Sequence, residues 1–159
     1  MKKILCIGPL TLLMVMCVGV SSCSDGMDGF NGFNDNSLIG LWYFVNATAD
    51  IQNPTDREAE ADEKAVWPFA SLLLQGSTFE FKADKTFFFD VPLGDSTQGS
   101  YTKNGNQLTL MHDDGESGTF IISLKNGVLT MIDDQLDNYY RSQGFTKYEV
   151  KMTLKKGKS

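Results

Sequence analysis

The sequence predicts an all-β protein, an eight-stranded antiparallel up-and-down barrel with a helical insertion between its first two strands. Two observations carry that reading. From Leu38 onward, apolar residues recur with a period of two rather than 3.6, and the runs are separated by short Gly, Asn and Asp turns at hairpin spacing. Eight such runs form a meander, and closing it removes the exposed edges that an open sheet offers to aggregation. A two-sheet β-sandwich is the alternative architecture.

The first strand is read over 38–48, where Trp42 and Phe44 share one face and Tyr43 and Val45 the other. Phe79 and Phe81 alternate with Glu80 and Lys82; a turn at Ala83-Asp84-Lys85 follows, and Phe87 and Phe89 continue the apolar face as strands two and three. Tyr101 precedes Asn104-Gly105, which reads as a type I′ turn, and Leu108 and Leu110 follow it as strand five. Asp113-Asp114-Gly115 reverses the chain before Phe120, Ile122 and Leu124. Asn126-Gly127 reverses it again before Leu129 and Met131. Tyr148, Val150, Met152 and Leu154 alternate with polar residues in the last strand.

The connection over 49–76 breaks this rhythm. Pro54-Thr55-Asp56-Arg57-Glu58 suits a helix start, with Thr55 or Asp56 as cap and acidic residues in the first turn. The helix is expected to run toward Lys64 and to be interrupted around Pro68, whose ring and missing N–H oppose a continuous helix. Trp67, Phe69, Leu72 and Leu73 make the stretch too apolar to lie in water. A mobile cover over a pocket, a fixed plug that completes the core, and a patch for a protein partner all satisfy that pattern.

The N-terminus carries an address. Lys2 and Lys3 precede an apolar stretch from Ile4 to Val20 and then Ser21, Ser22 and Cys23, the layout of a secretory signal too short for a stable membrane span. Val20-Ser21-Ser22-Cys23 resembles the lipobox of bacterial lipoproteins. The resemblance implies a signal peptide over 1–22 and a lipid on Cys23, and it places the protein in the cell envelope, with the outer membrane favoured by Ser24. Residues 23–36, rich in Gly, Asn and Asp, read as a flexible tether spanning roughly 20 Å on average. No Glu closes a calcium loop in it. Residues 37–159 are then one domain.

Composition narrows the function classes. Cys6 and Cys17 leave with the signal, so no thiol remains for a disulfide, a thiol nucleophile or a cysteine-ligated zinc. All 20 acidic residues follow Cys23, while 2 of the 14 basic ones precede it, leaving 12 against 20, or −8. That balance makes the chain a poor partner for nucleic acid and is not expected to hold it to anionic lipid by charge. Membrane attachment is then left to the acyl chains. No cofactor or metal site is expected. His112 is the single histidine, placed inward at a barrel rim without an evident partner, and Asp113, Asp114, Glu116, Asp133, Asp134 and Asp137 lie in or beside turns where carboxylates bond the backbone. No catalytic residue is assigned, and a non-enzyme is expected.

Gly40-Leu41-Trp42 resembles the Gly-x-Trp signature of lipocalins and their calycin relatives, and the hairpin rhythm from Thr78 to Lys155 adds to it. The likeness is to small lipocalin-like lipoproteins of Gram-negative envelopes. It implies that Trp42 plugs the closed end under a basic residue of the last strand, for which Lys155 or Lys156 stands where the family has arginine. It implies further that 49–76 lids the open end, with Trp67, Phe69, Leu72 and Leu73 as lid residues. Trp42, Phe44, Phe79, Phe81, Phe87, Phe89, Tyr101, Leu110, His112 and Phe120 either line a pocket for a small apolar or amphipathic ligand or fill the barrel. In the second case the outside, including the Leu136-Asp137-Asn138-Tyr139-Tyr140 loop, would serve an envelope protein partner.

Overall fold

The structure is a computed structural model, and it describes residues 35–157. The expected signal peptide over 1–22, Cys23 and nearly all of the expected tether lie outside the described residues. A short helix α1 (Asp35–Leu38) leads into β1 (Gly40–Gln52), followed by α2 (Arg57–Leu73), β2 (Thr78–Phe81), β3 (Thr86–Asp90), β4 (Thr97–Asn104), β5 (Gln107–His112), β6 (Ser117–Lys125), β7 (Val128–Asp133), α3 (Leu136–Arg141) and β8 (Lys147–Lys156). The eight strands pair in sequence order, every neighbour antiparallel, and β8 returns to β1 to close the barrel. The predicted fold class and the helical insertion are therefore present, and the sandwich is not.

Alternation sets the faces. Trp42 and Phe44 point inward while Tyr43 and Val45 are exposed, and the inward set of every later strand is the apolar one read from the sequence. Three local expectations are corrected. First, β1 continues past residue 48 to Gln52, because a bulge between Phe44 and Asn46 resets its parity so that Ala47 and Ile51 turn inward opposite β8. Second, the β4–β5 loop is Gly105-Asn106, one residue later than Asn104-Gly105. Asn104 pairs with Gln107, and only Gly105 has positive φ, at 59°, as in a II′ loop rather than I′. Asn126-Gly127, by contrast, has both residues at positive φ, the I′ pattern.

Third, Pro68 does not interrupt α2. It sits with Lys64 on the exposed side of the helix, while Trp67 and Ala70 are buried on the other side. Burial of that face outweighs the lost bond. Asp56 caps the helix, accepting from Ala59 N at 2.9 Å. The Glu60 carboxylate ties the first turn to the end of β1, accepting from Asn53 N at 2.7 Å, Lys64 Nζ at 2.8 Å and Arg57 Nη1 at 3.0 Å. The Lys64 bond, and after it the Asn53 amide, pull its carboxyl down to about 2.

The two ends of the barrel differ in chemistry. At one end lie α1, the start of β1, the β2–β3, β4–β5 and β6–β7 hairpins and the end of β8. Here Trp42 is fully buried, and its Nε1 donates to Leu38 O at 2.7 Å. Lys156 Nζ lies 5.2 Å from the Trp42 ring centre and donates to Ser37 O at 3.0 Å, whereas Lys155 is turned to solvent. Gly40, at φ 127°, lets the chain enter under this lysine; a Cβ there would stand 3.3 Å from Lys156 Cε. Lys82, Lys85, Lys103, Lys125, Lys155 and Lys156 all belong to this end, against Glu80, Asp84 and Asp35 among the described residues. The opposite end holds α2 with its cap Asp56, α3, the loops 91–96 and 113–116 and the Asp133-Asp134 end of β7, which together carry 12 of the 18 acidic residues among the described residues.

Candidate functional site

The acidic end is the mouth, and α2 covers it. β2 pairs with β1 only from Gly40 to Tyr43, while β8 follows β1 from Trp42 to Gln52. On its β2 side, β1 beyond Tyr43 therefore has no ladder, and its amides turn to the helical segment. Phe44 N donates to Ser77 O at 3.0 Å, Ala47 N donates to Ser71 Oγ at 3.1 Å, and Gln75 Nε2 reaches Val45 O at 3.4 Å. The seam between β1 and β2 is closed by a helix instead of a strand.

Beneath α2 lies a second apolar cluster, separate from the main core: Ile51, Trp67, Ala70, Leu136, Tyr140, Phe145, Tyr148 and Val150. The Tyr140 and Tyr148 rings stack at 3.6 Å with 2° between planes, and Phe145 meets both edge-on at 5.2 and 5.7 Å. Their hydroxyls converge on α2. Tyr148 Oη donates to Glu63 Oε2 at 2.6 Å, Tyr140 Oη donates to the same oxygen at 3.3 Å, and Trp67 Nε1 donates to Tyr148 Oη at 3.3 Å. Burial first, and the neighbouring Glu63 carboxylate, push Tyr140 up to about 12; burial and the Glu63 bond push Tyr148 well above the usual tyrosine range. Both phenols stay protonated donors at any physiological pH, so no pH change in that range undoes the latch between helix and barrel.

The residues predicted to line or fill the barrel are brought together. Trp42, Phe44, Phe79, Phe81, Phe87, Phe89, Tyr101, Leu110 and Phe120 all face the interior, none more than 7% exposed. Phe79 stacks on Phe89 at 4.0 Å and on Phe81 at 6.0 Å, and Phe81 meets Tyr101 edge-on at 5.3 Å. Tyr101 Oη donates to Lys82 O at 2.8 Å. With α2 seated, the rings contact one another and leave the main core closed to solvent. His112 is half-buried at the end of β5, edge-on to Phe87 at 5.2 Å, with its Nδ1 buried and unpartnered.

The four predicted lid residues part company. Trp67 is buried under the helix, Leu73 is half-buried, and Phe69 and Leu72 are 55% and 65% exposed on its outer side. Nor is the 136–140 stretch a displayed loop. It is most of α3, with Leu136 and Tyr140 buried in the mouth cluster and Tyr139 on its surface. Glu63, Tyr140 and Tyr148 meet only through contacts some eighty positions apart, which no local pattern announces; the one signal in the sequence is a Glu facing the buried side of an amphipathic helix.

Three of the six carboxylates read as turn residues accept from backbone amides. Asp133 Oδ1 accepts from Gln135 N and Leu136 N at 2.8 and 3.0 Å, Asp114 Oδ1 from Glu116 N at 3.0 Å, and Asp137 Oδ1 from Tyr148 N at 2.9 Å. Burial nevertheless holds Asp133 above the usual carboxylate range. Among the described residues no group of three or more His, Asp or Glu is placed to hold a metal ion. Open clefts among the described residues include two lined mainly by polar side chains. One, of about 440 Å³, lies between α3 and β8 beside Asp134, Arg141 and Glu149; the other, of about 390 Å³, lies beside His112, Gln98 and Lys82.

A closed eight-stranded meander barrel, plugged at one end by a tryptophan under a lysine and covered at the other by the helix that follows β1, defines a calycin-type β-barrel protein. The family model described as a lipocalin-like domain matches residues 38–131, and the chain belongs to that family. The match runs from α1 to β7 and includes Gly40-Leu41-Trp42, α2 and the aromatic strands. No curated protein matches the chain.

Proposed function

We propose that this is a lipid-anchored, non-catalytic binding protein of the bacterial envelope, held in the outer membrane through Cys23, which takes a small apolar or amphipathic ligand at the mouth under α2. The observation that carries the proposal is the seam. Where the rest of the wall is a continuous ladder, the stretch beside β1 is closed by side-chain and backbone bonds from α2 and the residues just after it, each contributing about 1 kcal/mol. Swinging α2 outward breaks these bonds and the Glu63 latch, exposes Trp67, Tyr140 and Tyr148, and opens a path to Phe79 and Phe89 without unzipping a strand pair. Aromatic walls with a few hydroxyls suit an amphipathic guest. Anchoring is supported by the sequence alone, through Val20-Ser21-Ser22-Cys23.

A second reading, a barrel that stays full and binds an envelope protein by its outer surface, is favoured by the tight ring packing of the interior and by exposed Phe69 and Leu72. Native mass spectrometry of the chain purified gently from its own envelope separates the two. A stoichiometric apolar small molecule, lost in Trp67→Ala while the fold survives, is the expected result. A ligand-free mass with a co-purifying protein would overturn it in favour of the second reading.

A further inference from the structure

We infer that the Trp42 end of the barrel is a docking face for an anionic lipid surface, which orients the protein with its mouth away from the membrane. The total charge of −6, or −8 without residues 1–22, hides the segregation that folding produces. Six lysines from four separate segments, Lys82 and Lys85, Lys103, Lys125, and Lys155 and Lys156, are gathered at one end only because an up-and-down barrel brings every second turn to the same rim. Among the described residues, Glu80 and Asp84 are the acidic side chains placed beside them. Asp84 is occupied by Thr86 N and Oγ at 3.0 and 2.7 Å, and Glu80 stands 3.9 Å from Lys82. Exposed Leu41 and Tyr43, at the start of β1 beside the Lys155 and Lys156 segment, add apolar and amphipathic surface at the same rim.

Two arguments select a lipid surface as the occupant. The first is charge complementarity, since an anionic leaflet attracts clustered lysines within a Debye length while the acidic mouth is repelled. The second is where the chain leaves the barrel. The segment from Cys23 ends at Asp35 in α1, which packs on Trp42 and Lys156 at this same rim, so a lipid on Cys23 holds the basic end toward the bilayer. This orientation rests on the anchoring proposed above; the basic face itself does not. An acyl anchor and a basic patch are together the two signals that stable membrane attachment takes.

The test uses the chain from position 23 onward with Cys23→Ser, so that no acyl group can attach, and measures co-sedimentation with vesicles of phosphatidylcholine alone or mixed with phosphatidylglycerol. Binding is expected only to the mixed vesicles, and it is expected to fall with added salt. Lys82→Gln, Lys125→Gln and Lys155→Gln together are expected to weaken it about a hundred-fold, at about five-fold per lysine near the surface. Lys64→Gln, Lys147→Gln and Lys151→Gln make the same change in net charge away from this end and are expected to leave binding intact. Retained near-ultraviolet circular dichroism checks that each variant folds. Equal binding to both vesicle types, an unchanged triple variant of the first kind, or preference for a DNA duplex over the vesicles would overturn the inference. Mass measurement of the native chain tests the anchor separately, because a missing acyl adduct on Cys23 refutes the anchoring without touching the vesicle result.

Discussion

Replacing Tyr148 by phenylalanine removes one oxygen from the place where helix and barrel are latched. The ring remains, stacked on Tyr140, so apolar packing is nearly unchanged. Lost are a charge-assisted bond to Glu63 at 2.6 Å, worth about 1.5–3 kcal/mol, and a long neutral bond from Trp67 at 3.3 Å, worth about 0.5–1 kcal/mol. Glu63 is half-buried and keeps Tyr140 Oη at 3.3 Å, so the low end of each range applies and the sum is about 2 kcal/mol. With a urea dependence of about 1.5 kcal/mol per molar, the unfolding midpoint should fall by roughly 1.3 M with unchanged slope. Hydrogen exchange should localise the effect, with the amides of Phe44 and Ala47 exchanging faster because α2 opens more often, and the β4–β5 ladder unaffected. Glu63→Gln should cost less, and the double variant little more than Tyr148→Phe alone, since both changes break one contact. A midpoint shift below about 0.3 M, or faster exchange spread evenly over the barrel, would refute the latch.

Other consequences are equally open to measurement. Phe81→Ala should destabilise the barrel by about 3–5 kcal/mol in urea unfolding, because a ring stacked and edged by Phe79 and Tyr101 leaves a cavity; a cost near 1 kcal/mol would mean that the interior already holds spare volume. Gly99→Ala should prevent stable folding, read as loss of the near-ultraviolet signal, since the new Cβ would stand 2.0 Å from Met111 O on the paired strand, and backbone cannot yield as a side-chain tip can. On the alkaline side, Tyr140 and Tyr148 have folded values raised above the ordinary 10, so their contribution is whole below pH 10 and is lost as pH climbs through about 12. Absorbance at 295 nm should show two phenols ionising late and together with unfolding, and Tyr148→Phe should remove one of them. On the acid side Glu60 is depressed to about 2, so what it contributes is present above about pH 4.5 and disappears between there and pH 2; Glu60→Gln should flatten that arm of a stability profile.

Strand number, inward faces and the helical insertion were legible in the amino-acid sequence because each depends on local alternation and turn chemistry. Phe79 to Phe89 announce two strands and their shared face without reference to anything distant. The errors sit where a local rule met a distant partner. Pro68 stays inside a helix because Trp67 and Ala70 are buried against β8 and α3, and β1 outruns its apolar pattern because β8 pairs with it as far as Gln52. The turn at Gly105-Asn106 is offset by one residue because register is set by the pairing of Leu108 and Leu110 across β4, not by the turn dipeptide alone.

Composition alone determined the sign of the net charge, the absence of a free thiol after Cys23 and the scarcity of histidine. It could not determine where charge would go. Six lysines dispersed over 75 positions become one face, and Glu63, Trp67, Tyr140 and Tyr148 become one latch, only when the barrel closes. The physical reason is common to both. Periodicity tells each residue which way to point, whereas the positions that point toward each other are chosen by strand order and register, which exist only in the closed sheet.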